Sequence, residues 1–220
     1  MGSPLPPRQA EWGAARKSRG SAYYHSRQPD PLVQLAILHA QFEIFHPFSD
    51  GNGRMGRMLV PLFLYETKLL HTPTFYLSGW LEPRREEYVS RLRALGRRRD
   101  AWSAWVEFFL LGVAEQADSN AAKAQAILAL YNRLKEQALD LTHSQFAVPL
   151  LDQLFARPVL QSRDLRFGKK SPSKPAVANL LRTLREAEIL GVVREGAGRR
   201  GTVYALKDLI NRCEGRIVFR

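Results

Sequence analysis

His46-Pro47-Phe48-Ser49-Asp50-Gly51-Asn52-Gly53-Arg54-Met55-Gly56-Arg57 is the stretch from which the rest of the chain is read. It sets a histidine, a carboxylate, a glycine-bracketed asparagine and two arginines between two apolar, helix-like runs. The pattern predicts a turn and then a helix that starts near Asn52 to Arg54. At such a start the first amides lack intrahelical partners and point out along the positive end of the dipole. Gly51 and Gly53 permit a tight, positive-φ course and the close approach of a ligand. Together these make an anion cradle suited to a di- or triphosphate. Arg54 and Arg57, three residues apart, reach the same side and neutralise phosphate oxygens. Asp50 offers a hard oxygen to Mg²⁺, which on phosphates needs only one or two protein carboxylates. A neutral His46 imidazole can take a proton from an attacking hydroxyl. Phe48 is expected to be a buried anchor for the loop.

The flanks read as helices. Asp30-Pro31 has the form of an N-cap with proline at the first helical position. Leu32, Leu35, Ala36, Leu38, Phe42 and Phe45 follow, apolar around most of the circumference. After the loop, Met55, Met58, Leu59, Leu62 and Phe63 form an expected core face, with a bend at Pro61. Pro83 opens a third helix that turns Tyr88, Leu92 and Leu95 to one side. From Ala101 to about Leu139 the pattern stays helical, with an expected break at Asp118-Ser119-Asn120. Almost no strand signal precedes residue 140.

Thr142-His143-Ser144-Gln145 has the spacing of a capping box and is expected to start a new unit. A short helix over 146–155, a helical turn over Arg163–Phe167 and a helix over 175–190 follow, with Gly191 at the C′ position. Strands at 192–195 and 202–206 then flank a glycine- and arginine-rich tip. That order is the order of a winged helix-turn-helix. The chain is therefore expected to be mainly α, with an irregular segment over 1–29, a helical catalytic domain over 30–140 and a winged helix over 141–215.

The net charge of +12 is uneven. Residues 157–220 hold 15 Lys/Arg against 6 Asp/Glu, whereas residues 1–156 hold 18 against 15. The basic C-terminal part points to a polyanion or an acidic partner. Lys169, Lys170, Lys174, Arg182, Arg185, Arg199 and Arg200 are the candidate DNA contacts. The single cysteine, Cys213, excludes an internal disulfide and fits a reducing compartment. No apolar run is long enough for a membrane span, and the first 24 residues lack a signal-type apolar region. A cytoplasmic protein is expected.

Each part of the loop has an ordinary reading by itself, as a surface histidine, a common turn or a solvated pair of arginines. Their convergence on one ligand is what counts. The stretch resembles the Fic motif, His-x-Phe-x-Asp/Glu-Gly-Asn-Gly-Arg-x-x-Arg, at every specified position. The flanking runs, over about residues 30–215, also look like Fic proteins with a C-terminal winged helix. The resemblance implies a Fic-type helical bundle that transfers AMP from ATP to a Ser, Thr or Tyr hydroxyl of a protein target. It makes His46 the base and Asp50 the Mg²⁺ ligand. Gly51, Asn52 and Gly53 become the anion hole, with the Asn52 amide contributing, and Arg54 and Arg57 hold the β/γ end. A phosphate-transferring branch of the family carries lysine at the position of Gly53, so glycine there implies AMP transfer. The strand-forming flap and the inhibitory Ser/Thr-x-x-x-Glu-Gly/Asn helix found in many such proteins have no counterpart in the sequence. This leaves an alternative expectation: a shortened, inactive Fic protein that acts as a DNA-binding regulator through residues 157–220.

Overall fold

Asp30 begins the first long helix, α1 (Pro31–Phe45): its Oδ1 accepts from the Leu32 and Val33 amides at 2.8 and 3.2 Å, with Pro31 at the first position. The cap satisfies donors that the helix itself cannot. The structure, a computed structural model, describes residues 22–26, 28–168, 171–198 and 200–219. Its contacts divide the chain into two units between Ser119 and Asn120.

The first unit holds α1, α2 (Asn52–Glu66), α3 (Ser78–Leu81), α4 (Arg85–Leu95) and the start of α5 (Ala101–Thr142). Leu35, Ala36 and Ala40 of α1 form its core with Val60, Phe63 and Leu64 of α2 and Trp105 and Phe109 of α5. Trp105 is wholly buried, and its indole N–H donates to the Ala36 carbonyl at 2.8 Å. A buried indole needs such an acceptor.

The expected core face of α2 is corrected in part, since of its five residues Phe63 is buried as expected. Met55, Met58 and Leu62 are 40%, 55% and 48% exposed, while Asn52, Gly56, Val60, Phe63 and Leu64 face inward. Apolar residues lie around most of this helix, so periodicity alone fits two stripes. The inner stripe wins because the small Gly56 lets α2 come close to α1. A Cβ there would run into the Glu43 carboxyl and stand 3.2 Å from Phe42 Cδ1. The helix continues through Pro61.

α5 is unbroken through Asp118-Ser119-Asn120, contrary to the expected break. The alanine-rich residues that follow, Ala121 to Ala126, have high helix propensity and carry the helix on. Leu130, Leu134 and Ala138 belong to the core of the second unit, although the sequence pattern groups them with the first.

The second unit continues with α6 (Ala147–Ala156), β1 (Val159–Gln161), a 3₁₀ turn over Ser162–Asp164, α7 (Lys174–Glu186), β2 (Leu190–Arg194), β3 (Val203–Leu206) and α8 (Lys207–Glu214). The strands form an antiparallel sheet in the order β1-β3-β2, with Leu160 and Val192 both opposite Tyr204. Leu150, Leu151 and Leu154 of α6 and Leu180, Leu181 and Leu184 of α7 fill the core beneath it.

Local details differ from expectation. β1 had no sequence signal because three residues are too short for an alternating pattern, and the Arg163–Phe167 turn is a 3₁₀ turn starting one residue earlier. The capping box does not form: the Thr142 hydroxyl donates to the Ala138 carbonyl of its own helix at 2.6 Å. Glu188 (φ 59°), not Gly191, takes the left-handed position after α7. Gly191 lies in β2, where a Cβ would stand 2.7 Å from Lys207 Cδ. Among the described residues no helix is long and apolar enough to cross a membrane.

Candidate functional site

α1 ends at His46, which adopts the left-handed conformation (φ 42°, ψ 62°) while its amide still bonds to the Phe42 carbonyl at 3.2 Å. The reversal turns the imidazole back over the last turn, where Nδ1 meets the Glu43 carbonyl. A carbonyl only accepts, so Nδ1 carries the proton and Nε2 keeps its lone pair. The ring is exposed. This tautomer suits a base whose acceptor nitrogen is Nε2.

Asn52 closes the loop. Its Oδ1 accepts from the Phe48 amide at 2.9 Å, and its Nδ2 donates to the Phe48 carbonyl at 2.6 Å. The side chain is 5% exposed. The amide that sequence assigned to phosphates is thus engaged inside the loop, setting the distance from the histidine side of the turn to the helix start. The anchoring of Phe48 is likewise through its backbone. Its ring is 51% exposed and lies 6.3 Å from that of Phe42, which corrects the buried-anchor expectation.

Gly51 takes φ 81° at the N-cap of α2, a conformation that disfavours any side chain. The first intrahelical bond is from Met55 N–H to Gly51 O, at 3.0 Å, and no side chain caps the amides ahead of it. The donors of Asn52, Gly53 and Arg54 are therefore left for an anion. Both arginines border this turn. A Cβ at Gly51 would lie 3.6 Å from Arg54 Nη2, and one at Gly53 would lie 3.2 Å from Arg57 Nη1. Arg54 also reaches Asp50 at 3.5 Å, with the two side chains 75% and 92% exposed. So open a pair adds little stability, and an incoming phosphate and cation can separate it.

Among the described residues no group of three or more His, Cys, Asp or Glu could hold a metal alone. One exposed carboxylate beside a phosphate-sized turn fits an ion that takes its remaining ligands from phosphate and water, as Mg²⁺ does.

Behind the loop lies a polar cluster that the sequence reading did not single out. His39, 1% exposed, contacts the Gly56 carbonyl through Nδ1 at 3.1 Å and the Tyr88 hydroxyl through Nε2 at 2.9 Å. Its ring lies parallel to that of Trp105. Burial pulls its pKa down to about 4, against the opposing effect of the Gly56 carbonyl and with a further push from Arg57. Neutral His39 donates from Nδ1 and accepts from Tyr88. Glu43, 8% exposed, lies beside them; burial, the largest effect, raises its pKa, and nearby His46 and Arg57 pull the other way without reversing it. Burial also raises the Tyr88 pKa, with Glu43 adding to the shift. The signal missed was the spacing 39, 43, 46 on successive turns of α1.

The basic candidates of the second unit differ in their surroundings among the described residues. Lys169, Lys170 and Arg199 lie outside the described residues. Lys174 and Arg200 are exposed. Arg182 bonds to Glu186 at 2.9 Å and Asn179 at 2.6 Å, and Arg185 to Glu195 at 2.8 Å.

Residues 4–64 match the model of the Fic/DOC family. The match takes in residues 4–29, which the sequence reading left outside the catalytic domain. Over 64 residues the chain is 41% identical to a probable protein adenylyltransferase of Aquifex aeolicus, covering 29% of this chain and 18% of that protein. Over 61 residues it is 38% identical to the protein adenylyltransferase fic-1 of Caenorhabditis elegans, covering 28% and 11%. The matched stretch thus spans less than a fifth of either relative. Among solved structures, a Fic family protein from Desulfovibrio desulfuricans G20 aligns with a TM-score of 0.47 at 21% identity, over 93% of this chain and 58% of that one.

Proposed function

The chain is a Fic-domain protein, matched as such over residues 4–64, and from that premise we propose that it transfers AMP from ATP to a Ser, Thr or Tyr hydroxyl of a protein. One observation carries the reading. The Asn52 clasp on the Phe48 backbone closes a short loop with His46, held through Nδ1 by the Glu43 carbonyl, at one end and an uncapped helix start bordered by two arginines at the other. A base and an anion site are thereby kept at a set separation, which is what phosphoryl-group transfer asks of a protein.

In the proposed reaction the α-phosphate lies against the amides of Asn52, Gly53 and Arg54. Arg54 and Arg57 take the β- and γ-phosphates and neutralise their charge. Asp50 holds Mg²⁺, which when bound offsets the charge of the phosphates. The target hydroxyl approaches His46 Nε2, which takes its proton as the oxygen attacks the α-phosphorus. The new O–P bond forms as the bond to the β-phosphate oxygen breaks, and pyrophosphate leaves with that electron pair. Gly53, where the phosphate-transferring branch of the family carries lysine, supports AMP over phosphate transfer.

We read the second unit, with its helices, three-stranded sheet and hairpin, as a winged helix. A DNA-binding role for it draws less support, because Arg182 and Arg185 are engaged with acids of their own unit.

The test uses ATP labelled at the α-phosphorus, Mg²⁺ and cell lysate, with wild type beside His46→Ala. Wild type is expected to transfer α-label but no γ-label to protein, and His46→Ala to lose at least about a hundredfold of that rate. Equal labelling by both proteins refutes the proposal.

A further inference from the structure

The outer side of α4 carries charge that neither the core nor the loop from His46 to Arg57 uses. Tyr88, Leu92 and Leu95 turn inward to the first core. Residues 84–99 hold seven arginines and no lysine against two glutamates, a net of +5. That exceeds the net of +3 over residues 1–156, where 18 Lys/Arg face 15 Asp/Glu. Arg85, Arg93, Arg97 and Arg98 line one groove of about 680 Å³. Arg85 and Arg93 lie two turns apart on α4, about 12 Å along its axis. The turn that follows is pinned by the Arg97 and Arg98 amides, both on the Ala94 carbonyl at 3.0 Å.

Several of these arginines are engaged. Arg84 reaches Glu115 at 3.3 Å, Arg91 pairs with Glu87 at 2.7 Å, and Arg98 Nε donates to Asp100 at 3.1 Å. Arg85, Arg93 and Arg97 are exposed, and among the described residues no ion pair or side-chain hydrogen bond engages them. Like charges four residues apart, as at Arg93 and Arg97, repel one another, and a bound anion relieves that repulsion.

The remaining lining selects the partner. The groove holds one carboxylate, Glu86, and its apolar lining is only Val89 and Ala94. A stable protein interface needs a buried aromatic or large aliphatic anchor, which this groove lacks. Single-stranded nucleic acid needs aromatic side chains on which its bases stack, and none lines the groove. A duplex needs neither. Its regularly spaced phosphates are held by charge, and each guanidinium fork can take a phosphate through two N–H groups.

We propose that the α4 groove binds the phosphate backbone of a nucleic-acid duplex through Arg85, Arg93 and Arg97, without reading its sequence. The site belongs to the first unit rather than to the basic second one, and it needs neither ATP nor the chemistry at His46.

The test is fluorescence anisotropy of the full chain on a labelled DNA duplex of random sequence, over a series of salt concentrations. Each phosphate neutralised adds about 0.9 to the slope of log affinity against log salt. Arg85→Gln/Arg93→Gln/Arg97→Gln is expected to flatten that slope by about two to three and to weaken binding at about 0.1 M salt at least tenfold. The side chains are exposed, so the thermal midpoint is expected to hold. The corresponding triple substitution to lysine keeps the charge and is expected to keep the slope. Poly-glutamate of equal charge is expected to bind at least tenfold more weakly than the duplex. If wild type shows no salt-sensitive binding, or the glutamine variant binds as wild type does, the proposal falls. It falls too if the lysine variant loses as much as the glutamine variant. Poly-glutamate binding as tightly as DNA would assign the groove to an acidic protein instead.

Discussion

His39 shows how much a single side chain owes to residues distant in sequence. Its partners are the Gly56 carbonyl of α2 and the Tyr88 hydroxyl of α4, with Trp105 of α5 stacked on the ring. Burial holds its pKa at about 4, whereas in the unfolded chain an imidazole titrates near ~6.5. Between those values the unfolded state binds the proton and the folded state does not. Stability is therefore lost as pH falls from about 6.5 toward 4, by at most about 1.4 kcal/mol per pH unit. Glu43, whose pKa is raised, acts in the opposite sense, and a His39→Gln variant shares it. Urea midpoints measured from pH 7 to 4.5 are expected to fall more steeply for wild type than for His39→Gln; parallel curves would contradict a buried neutral histidine. In the sequence His39 is one polar residue in an apolar run, and nothing within its own helix announces its partners. His46, by contrast, was legible, because its neighbours Asp50, Gly51 and Gly53 lie within one turn of chain.

Among the elements, α1 was the most readable. Asp30 and Pro31 define its start through bonds that span three residues, and the structure retains both. Asp30→Ala is expected to cost about 1 kcal/mol, read as a lower urea midpoint at unchanged m-value. α2 was read correctly at its start and only partly in orientation: Phe63 is buried as expected, while Met55, Met58 and Leu62 are exposed. Its exposed residues Met55, Met58 and Leu62 repeat as well as the buried Gly56, Val60 and Phe63 do. Only the close approach to α1 at Gly56, where a Cβ would meet Glu43 and Phe42, distinguishes the two faces. β1 was invisible for a different reason: its three residues become a strand only because Leu160 finds Tyr204 across the sheet.

At the scale of the molecule there are two cores, one on each side of the Ser119/Asn120 division. Leu184 is wholly buried in the second. Leu184→Ala removes three carbons from a closely packed site and is expected to destabilise that unit by about 2–5 kcal/mol, read as faster hydrogen exchange of the α6 and α7 amides. Sequence by itself determined the helical class, the capped start of α1, the glycine turn at Gly51 and the motif from His46 to Arg57. Those features depend on backbone conformation, helix-end amides and side chains a few residues apart. Tertiary structure decided the buried face of α2, the use of the Asn52 amide inside the loop, the helix continuing past Ser119, and the placing of His39 with Gly56 and Tyr88 near the His46–Arg57 stretch. These depend on which distant surfaces meet. A periodic pattern specifies that a face is apolar, whereas the shape of the partner helix selects the face that is covered.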